Sequence, residues 1–159
     1  MTKIQNELKV TCPAFAQDGQ IPKRHTGFGE DASPELRLSG LPEAAKSLAV
    51  VMDDLDIPLI GELNHWVIWN LPASETIEGS IPGGADCQNG ARQGVGYGKH
   101  RYRGPKQPPF IKKEHRYRFT VYALDGVLNL PASSGKADLL RAMRGRILAR
   151  GELVGRYKP

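Results

Sequence analysis

The sequence predicts a mainly β fold, and three observations support this prediction. The 159 residues include 18 glycines and 12 prolines, about a fifth of the chain, and both residue types interrupt helices. Three segments, 47–52, 65–71 and 115–124, are rich in β-branched and aromatic residues, as strands are. Apolar residues at helical spacing occur only near the C-terminus. At this length we expect one domain spanning residues 1–159.

The first half of the chain alternates short strands with turns. A short strand begins at Leu8, and the polar residues 24–35 are expected to form a loop. A second short strand covers residues 36–38. Residues 47–52 form a near-continuous apolar run that is too short for a helix, which predicts a strand buried on both faces. Residues 65–71 predict the next strand.

A long segment, residues 79–113, shows neither a strand pattern nor a helix pattern. It contains 8 glycines and 4 prolines among 35 residues, and a connection of that length is usually functional or disordered. The strand pattern returns at residues 115–124, where apolar and polar residues alternate. The apolar face of this strand includes His115 and Tyr117, so both are expected to point into the protein.

The C-terminal region changes to helical periodicity. Apolar residues follow helical spacing over residues 136–149, and Ser133 or Ser134 is expected to cap the start of the helix. Gly145 is expected to divide this stretch into two short helices. A final strand is predicted over residues 153–157.

Charge is distributed unevenly along the chain. Residues 1–91 contain 6 Lys or Arg and 13 Asp or Glu, whereas residues 92–159 contain 16 and 4. A basic half can bind nucleic acid or another anionic partner. Two oppositely charged halves of one fold can also neutralise each other, and the lack of a purely basic tail favours this second interpretation.

Composition argues against membrane, secreted and metal-dependent classes. No apolar run approaches the ~20 residues of a membrane span, and the first ten residues lack the apolar region of a secretory signal. Cys12 and Cys87 have no C-x-x-C spacing, and no histidine stands at metal-ligand spacing. We therefore expect a cytoplasmic protein with reduced thiols, without a metal and without a cofactor.

Common nucleotide-binding and catalytic motifs do not fit. Residues 94–99 resemble a phosphate-binding loop, but Gln93 and His100 stand where the pattern needs Gly and Ser or Thr. Residues 53–56 resemble the start of a calcium loop, but Pro58 follows where further ligands are needed. The sequence has no G-x-S-x-G nucleophile motif.

Polar side chains stand at the ends of the three strongest strands: Asp54, His65, His115 and Tyr117. Burying such groups unpaired is costly, so they must bond to each other or to a ligand. If these strands are neighbours, a carboxylate that accepts from a His Nδ1 leaves the outward N–H groups and the Tyr O–H as donors for an anion such as phosphate. Histidines that are simply satisfied within the core are the equally open alternative.

Two longer segments resemble the signatures of the phosphatidylethanolamine-binding protein family. The first comprises Met-Asp-Asp-Leu-Asp-Ile-Pro at 52–58 and His-Trp-Val-Ile-Trp-Asn-Leu-Pro at 65–72. The second comprises Tyr-Arg-Gly-Pro at 102–105, Pro-Pro at 108–109 and the strand that begins at His115. Similarity extends over residues 8–157, and the order and spacing resemble the bacterial branch called Raf-kinase-inhibitor-like proteins.

This resemblance implies an antiparallel β-sandwich with short C-terminal helices and a small anion pocket at one edge. It also implies the residues that bind ligand or form the pocket walls: Asp54, Pro58, His65, Tyr102, Gly104, Pro109, His115 and Tyr117. Members of the family bind phosphate-like headgroups or acidic ligands and modulate partners such as kinases or proteases. The resemblance therefore implies a non-enzymatic binding protein, and its bacterial branch implies a homodimer.

The chain departs from the family pattern near the expected pocket. Leu55 replaces the usual proline, and residues 106–107 add one residue before the Pro-Pro pair, where a small pocket-lining residue is common. Residues 110–114 replace a short glycine-containing turn. Three lysines of this segment are expected to attract anions towards the pocket, unless the loop is merely solvated: Lys106, Lys112 and Lys113.

Two other functions stay open at the level of sequence. His65 and His115 could act as the acid and base of a small hydrolase or lyase, with Asp54 orienting one of them, although no nucleophile or oxyanion loop is recognisable. The basic segment 99–118, with its tyrosines, could instead bind nucleic acid, in which case salt would weaken binding strongly.

Overall fold

The computed structural model describes residues 6–159, which form two β-sheets and one α-helix. The strands, in chain order, are β1 (Asn6–Glu7), β2 (Lys9–Thr11), β3 (Leu36–Ser39), β4 (Ser47–Ile57), β5 (Gly61–Pro72), β6 (Thr76–Ile77), β7 (Arg92–Gln93), β8 (His115–Leu124) and β9 (Ile147–Tyr157). The helix α1 covers Lys136–Met143, and Lys23–His25 form one turn of 3-10 helix.

The larger sheet holds the three strands that the sequence predicts most strongly. Its order is β1-β9-β8-β4-β5-β7, and β4 pairs antiparallel with β5 on one side and with β8 on the other. The prediction that segments 47–52, 65–71 and 115–124 lie in one sheet is therefore confirmed. The smaller sheet has the order β2-β3-β6, and the mainly β sandwich is confirmed as well.

Both faces of the larger sheet are covered, which explains the apolar run in β4. One face packs towards the smaller sheet through side chains such as Met52 and Phe119. The other face packs against α1, with Val51 and Trp69 among its buried residues. All residues of 47–52 are buried, as expected for a strand with apolar neighbours on both sides.

The C-terminal prediction is partly wrong. The helix α1 ends at Met143, and the expected second helix is absent from the described residues, because Ile147–Tyr157 forms β9 instead of the shorter strand 153–157. Gly145 has a φ of 74° and reverses the chain after the helix. From there β9 pairs antiparallel with β8 along its whole length. This pairing satisfies a long row of backbone groups, so tertiary contacts override the helical spacing.

Smaller differences concern the ends of elements. The N-cap of α1 is Gly135 rather than Ser133 or Ser134, and the Gly135 N–H donates to Asp138 Oδ2 at 3.0 Å. Within the patternless segment 79–113, only the two residues of β7 are in a strand. In the part of the chain that the structure describes, no helix is long and apolar enough to cross a membrane.

Candidate functional site

Four polar side chains meet at one end of the larger sheet, on the face that packs towards the smaller sheet. Asp54 on β4 is directly opposite Tyr117 on β8, and β8 begins two residues earlier at His115. His65 on β5 is the fourth member. Their relative exposures run from 1% to 3%. The structure thus brings together the four side chains that the sequence singles out at strand ends.

A β-bulge aims His65 into this group. The β4–β5 register shifts between Met52, which is opposite Trp66, and Asp53, which is opposite Asn64. His65 is therefore the extra residue of β5. A bulge bends its strand and redirects side chains, which lets His65 and Trp66 both face inward despite being adjacent. The His65 ring centroid consequently lies 5.6 Å from that of Tyr117.

Asp54 and His115 form a buried hydrogen-bonded pair. His115 Nδ1 donates to Asp54 Oδ2 at 2.8 Å, and each side chain is 3% exposed. The other carboxylate oxygen, Oδ1, accepts from the Asp56 backbone N–H at 2.8 Å. Because a carboxylate accepts, Nδ1 must carry a proton, and the second ring nitrogen faces away from the pair. Among the described residues nothing hydrogen-bonds to this buried His115 Nε2.

His65 differs from His115 in its partner and its charge. His65 Nδ1 donates to the backbone carbonyl of Arg103 at 2.7 Å, not to a carboxylate. Burial lowers the pKa of His65, because desolvation penalises the imidazolium, and the nearby Arg103 carbonyl and Asp54 charge oppose this only in part. His65 is therefore neutral at pH 7, and its Nε2 is an acceptor. The expectation that both imidazoles offer outward N–H groups is corrected accordingly.

Tyr117 contributes a protonated hydroxyl to the group. Its ring centroid lies 6.4 Å from that of His115. Burial first, and then the negative charge of Asp54, raise the pKa of Tyr117. A hydrogen bond between the hydroxyl and the Asp54 carboxylate raises the pKa further. All three effects penalise the phenolate, so the hydroxyl keeps its proton and is held beside Asp54.

The expected wall residues surround this group in different ways. Tyr102 is buried in the core, with its ring edge-on to Trp66, and its hydroxyl donates to the His25 carbonyl at 2.7 Å rather than facing the four polar groups. Gly104 packs so closely that a Cβ there would lie 2.2 Å from the same carbonyl. Pro58 and Pro109 are exposed. Tyr102 and Gly104 therefore hold the segment that presents Arg103 to His65.

Tyr97 and Arg103 cover His65 on its outer side, and sequence reasoning missed both. The Tyr97 ring centroid lies 5.1 Å from that of His65, and the Arg103 guanidinium lies 3.8 Å from the Tyr97 ring. Tyr97 is 42% exposed. In sequence the two residues are merely part of the glycine-rich segment, which gives no signal for stacking.

Gln107, one of the two residues that depart from the family pattern, occupies a position that the sequence does not predict. Its side chain is buried, and Nε2 donates to the Tyr157 carbonyl at 3.0 Å. In the ladder between β8 and β9, Tyr157 is the direct partner of His115. The inserted residue therefore lies beside the strand end that carries His115.

A second cluster of charges lies on the opposite face of the sheet, near α1. Asp53 Oδ2 accepts from Arg118 and from Lys136, both at 2.9 Å, and Asn64 Nδ2 donates to Oδ1 at 3.1 Å. Glu62 lies 2.9 Å from the same Arg118 nitrogen. These contacts join three strands and the helix, and they leave Asp53 fully partnered.

Two surface cavities lie away from the Asp54 group. One of about 520 Å³ is lined by residues between Leu71 and Asn89, and another of about 860 Å³ is lined by residues 7–17 and 150–154. Within residues 6–159, no cluster of three or more His, Cys, Asp or Glu side chains is arranged to hold a metal ion. The group around Asp54 is therefore distinguished by its chemistry rather than by open volume.

Comparison with known proteins places this architecture in a class of binding proteins. The model of the phosphatidylethanolamine-binding protein family matches residues 11–158. The chain belongs to the phosphatidylethanolamine-binding protein family. Membership supports a binding protein of this fold, and the family often binds small ligands.

Relatives of similar length occur in archaea. The chain is 42% identical over 147 residues to a UPF0098 protein of Methanothermobacter thermautotrophicus, which covers 91% of this chain and 95% of that protein. It is 39% identical over 155 residues to a UPF0098 protein of Pyrococcus abyssi, with 96% and 86% covered. The similarity therefore spans nearly the whole of each protein.

Solved structures agree with the fold. A putative phosphatidylethanolamine-binding protein homolog from Chlamydia trachomatis superimposes with a TM-score of 0.82 at 34% identity, covering 98% of this chain and 99% of that one. YbcL of E. coli, described as a new member of the mammalian PEBP family, also has a TM-score of 0.82, at 29% identity and with 96% and 99% covered.

Proposed function

We propose that this chain is a non-enzymatic binding protein that holds a small phosphate-like anion at Asp54, His65, His115 and Tyr117. One observation carries the proposal. His115 Nε2 is buried and, within residues 6–159, has no hydrogen-bond partner, while Nδ1 of the same ring is held by Asp54. A buried polar atom left unpaired is costly, and a ligand that bonds to it removes that cost.

The pair explains how the ligand is attracted. When His115 is protonated, Nδ1–H donates to Asp54 and Nε2–H becomes a second donor. The Asp54 carboxylate accepts from Nδ1 at 2.8 Å and so holds the ring in one orientation. The protonated Tyr117 hydroxyl lies beside the same Asp54 carboxylate. An anion at Nε2 therefore meets a charge-assisted donor whose orientation is set before it arrives.

A ligand titration with matched variants tests the proposal. Inorganic phosphate is titrated by calorimetry into the wild-type protein and His115→Asn at pH 6. The Asn Nδ2 atom occupies the place of His Nδ1 and preserves the donor to Asp54, so only the Nε2 side is removed. We expect affinity to fall at least roughly tenfold, as expected for a lost charge-assisted hydrogen bond.

The control is His100→Asn. His100 Nδ1 lies 2.9 Å from the Gln93 carbonyl, outside the group, so the same change should leave phosphate binding unchanged. Equal phosphate affinity in wild type and His115→Asn would contradict the proposal. Phosphorus NMR of a bound phosphomonoester adds a chemical readout: release of phosphate that depends on His65 and His115 would favour the acid–base enzyme instead.

A further inference from the structure

Gln107 places a second unpartnered polar atom in the same part of the fold. The Tyr157 carbonyl can only accept, so the Gln107 atom that bonds to it must be the amide nitrogen. The other atom, Oε1, is thereby assigned as an acceptor. Oε1 is buried, and in the described chain no donor reaches it.

The backbone of β9 shows where this acceptor lies. The Arg156 N–H donates to the Gly19 carbonyl, and the Arg156 carbonyl accepts from the Ile21 N–H. The backbone groups of residue 156 therefore point away from β8. Successive residues of a strand point their backbone groups to opposite sides. The Tyr157 carbonyl therefore faces β8, where His115 is its direct partner. Gln107 bonds to this carbonyl, so its amide lies at the His115 end of β8.

We propose that Gln107 Oε1 is an acceptor in the anion site and selects anions that carry a proton. This inference rests on the proposed function of the same site. A phosphate monoanion has P–OH groups that can donate to Oε1 while its other oxygens accept from His115 Nε2. A sulfate ester of the same charge has no proton to donate. Its oxygens, which are all acceptors, would therefore repel the Gln107 Oε1 acceptor. The favoured ligand class is thus a protonated phosphate or phosphomonoester.

Another acceptor could receive the same proton. Neutral His65 presents an unprotonated Nε2, because its Nδ1–H is committed to the Arg103 carbonyl. The test must therefore distinguish a proton received by Gln107 from one received by His65. A substitution of Gln107 alone makes that distinction.

A pair of ligands that differ in one proton makes the test. At pH 5.5 methyl phosphate is mostly a monoanion, since the second pKa of a phosphomonoester is about 6. Methyl sulfate is a monoanion of similar shape without a proton. Wild type should bind methyl phosphate roughly tenfold more tightly, as expected when a buried acceptor gains its hydrogen bond. Calorimetry or NMR titration measures both affinities.

Gln107→Met then removes the acceptor while keeping the length of the side chain. In this variant the ratio of methyl phosphate affinity to methyl sulfate affinity should fall to about 1. The affinity for methyl sulfate should stay the same or improve. Gln107→Leu serves the same purpose if the Met variant does not fold, as judged by circular dichroism.

The outcomes separate this inference from the proposed function. If wild type binds the two esters equally, Gln107 does not select a proton, while the anion site itself is upheld. If the preference persists in the Gln107 variant, the proton is received elsewhere and the inference is wrong. If wild type binds neither ester, the proposed function fails and this inference fails with it.

Discussion

Asp53 and Asp54 are adjacent buried carboxylates on β4 that lie on opposite faces of the sheet. Asp53 accepts from two permanently charged partners, Arg118 and Lys136, and from Asn64. Asp54 accepts from the His115 imidazole and the Asp56 backbone N–H, with the Tyr117 hydroxyl beside it. Strand alternation alone separates them, because successive side chains point to opposite faces.

The difference concerns how each negative charge is balanced. Around Asp53 the compensating charges are permanent, and the contacts connect β4 and β8 to α1. Around Asp54 the imidazole is charged only when His115 is protonated. In the described part of the chain His115 keeps one unpartnered buried nitrogen, and Arg118 Nε and Asn64 Oδ1 beside Asp53 are likewise buried without a partner. We therefore expect the Asp53 cluster to contribute mainly to stability, and the Asp54 group to be the one that responds to the proposed anion.

The largest effect on stability is expected from Asp53→Asn. The change removes the charge-assisted hydrogen bonds from Lys136 and Arg118, while both cations stay partly exposed and keep Glu62 as a partner. We therefore expect a loss of roughly 2 kcal/mol in the free energy of unfolding, measured in urea. Phosphate affinity of the folded fraction should stay the same.

The matched control for that loss is Asp56→Asn. Asp56 pairs with Arg116 at the surface, where ion pairs contribute about 1 kcal/mol or less. A loss as large as that of Asp53→Asn would show that position on β4, rather than the charge network, governs stability.

The reverse pattern is expected for Asp54→Asn. An amide keeps the shape but replaces the charged acceptor that orients His115 Nδ1–H, so phosphate affinity should fall by roughly tenfold. The free energy of unfolding should change by less than about 1 kcal/mol, because a buried carboxylate with few partners contributes little net stability. Calorimetry and urea unfolding on one protein sample measure both. If the phosphate affinity of Asp54→Asn equals that of the wild type, Asp54 has a structural role and does not contribute to binding.

Acid should weaken the fold through His65. Its pKa in the folded protein is lowered by burial, while the unfolded value is about 6.5. Below that pH the unfolded chain binds a proton that the folded chain does not, so stability is fully present above pH 6.5 and is lost as the pH falls towards the lowered pKa.

Unfolding curves at pH 7.5 and 5.5 measure this loss. His65→Asn keeps a side-chain donor for the Arg103 carbonyl and should show a smaller difference between the two pH values. Phosphate should also raise stability at pH 5.5 in the wild type, because a ligand that binds the folded chain alone stabilises it. An equal pH dependence in both proteins would assign the acid sensitivity to other groups.

The smallest effect is expected from the lysines near the site. Lys112 and Lys113 are exposed, whereas the Lys106 ammonium lies 4.4 Å from the Phe28 ring centroid and is held there. Replacing Lys112 and Lys113 with Gln should weaken phosphate binding by less than about threefold at low salt. At about 1 M salt the same change should leave phosphate affinity unaltered. The same change at Lys46, before the opposite end of β4, should have no effect.

How much of the site the sequence reveals depends on the range of the contacts. Strand-end polar groups such as Asp54 and His115 are visible in sequence because each interrupts an apolar pattern whose period is known. The partners of Asp53 and Gln107 are not visible, since Lys136 and Tyr157 are distant in sequence and meet them only after folding. Pairing with β8 likewise determines that the chain from Ile147 onwards is a strand, whereas the helical spacing of its apolar residues predicts a helix there.

The central claim is that His115 Nε2 donates to the bound anion, and nitrogen NMR of the histidine side chains tests it most directly. The protein is labelled at histidine nitrogens and titrated with inorganic phosphate at pH 6. We predict that His115 Nε2 becomes a protonated, hydrogen-bonded nitrogen while Nδ1 keeps its proton, and that His25 and His100 do not respond. An unchanged His115 with shifts confined to the basic residues 99–106 would contradict the account.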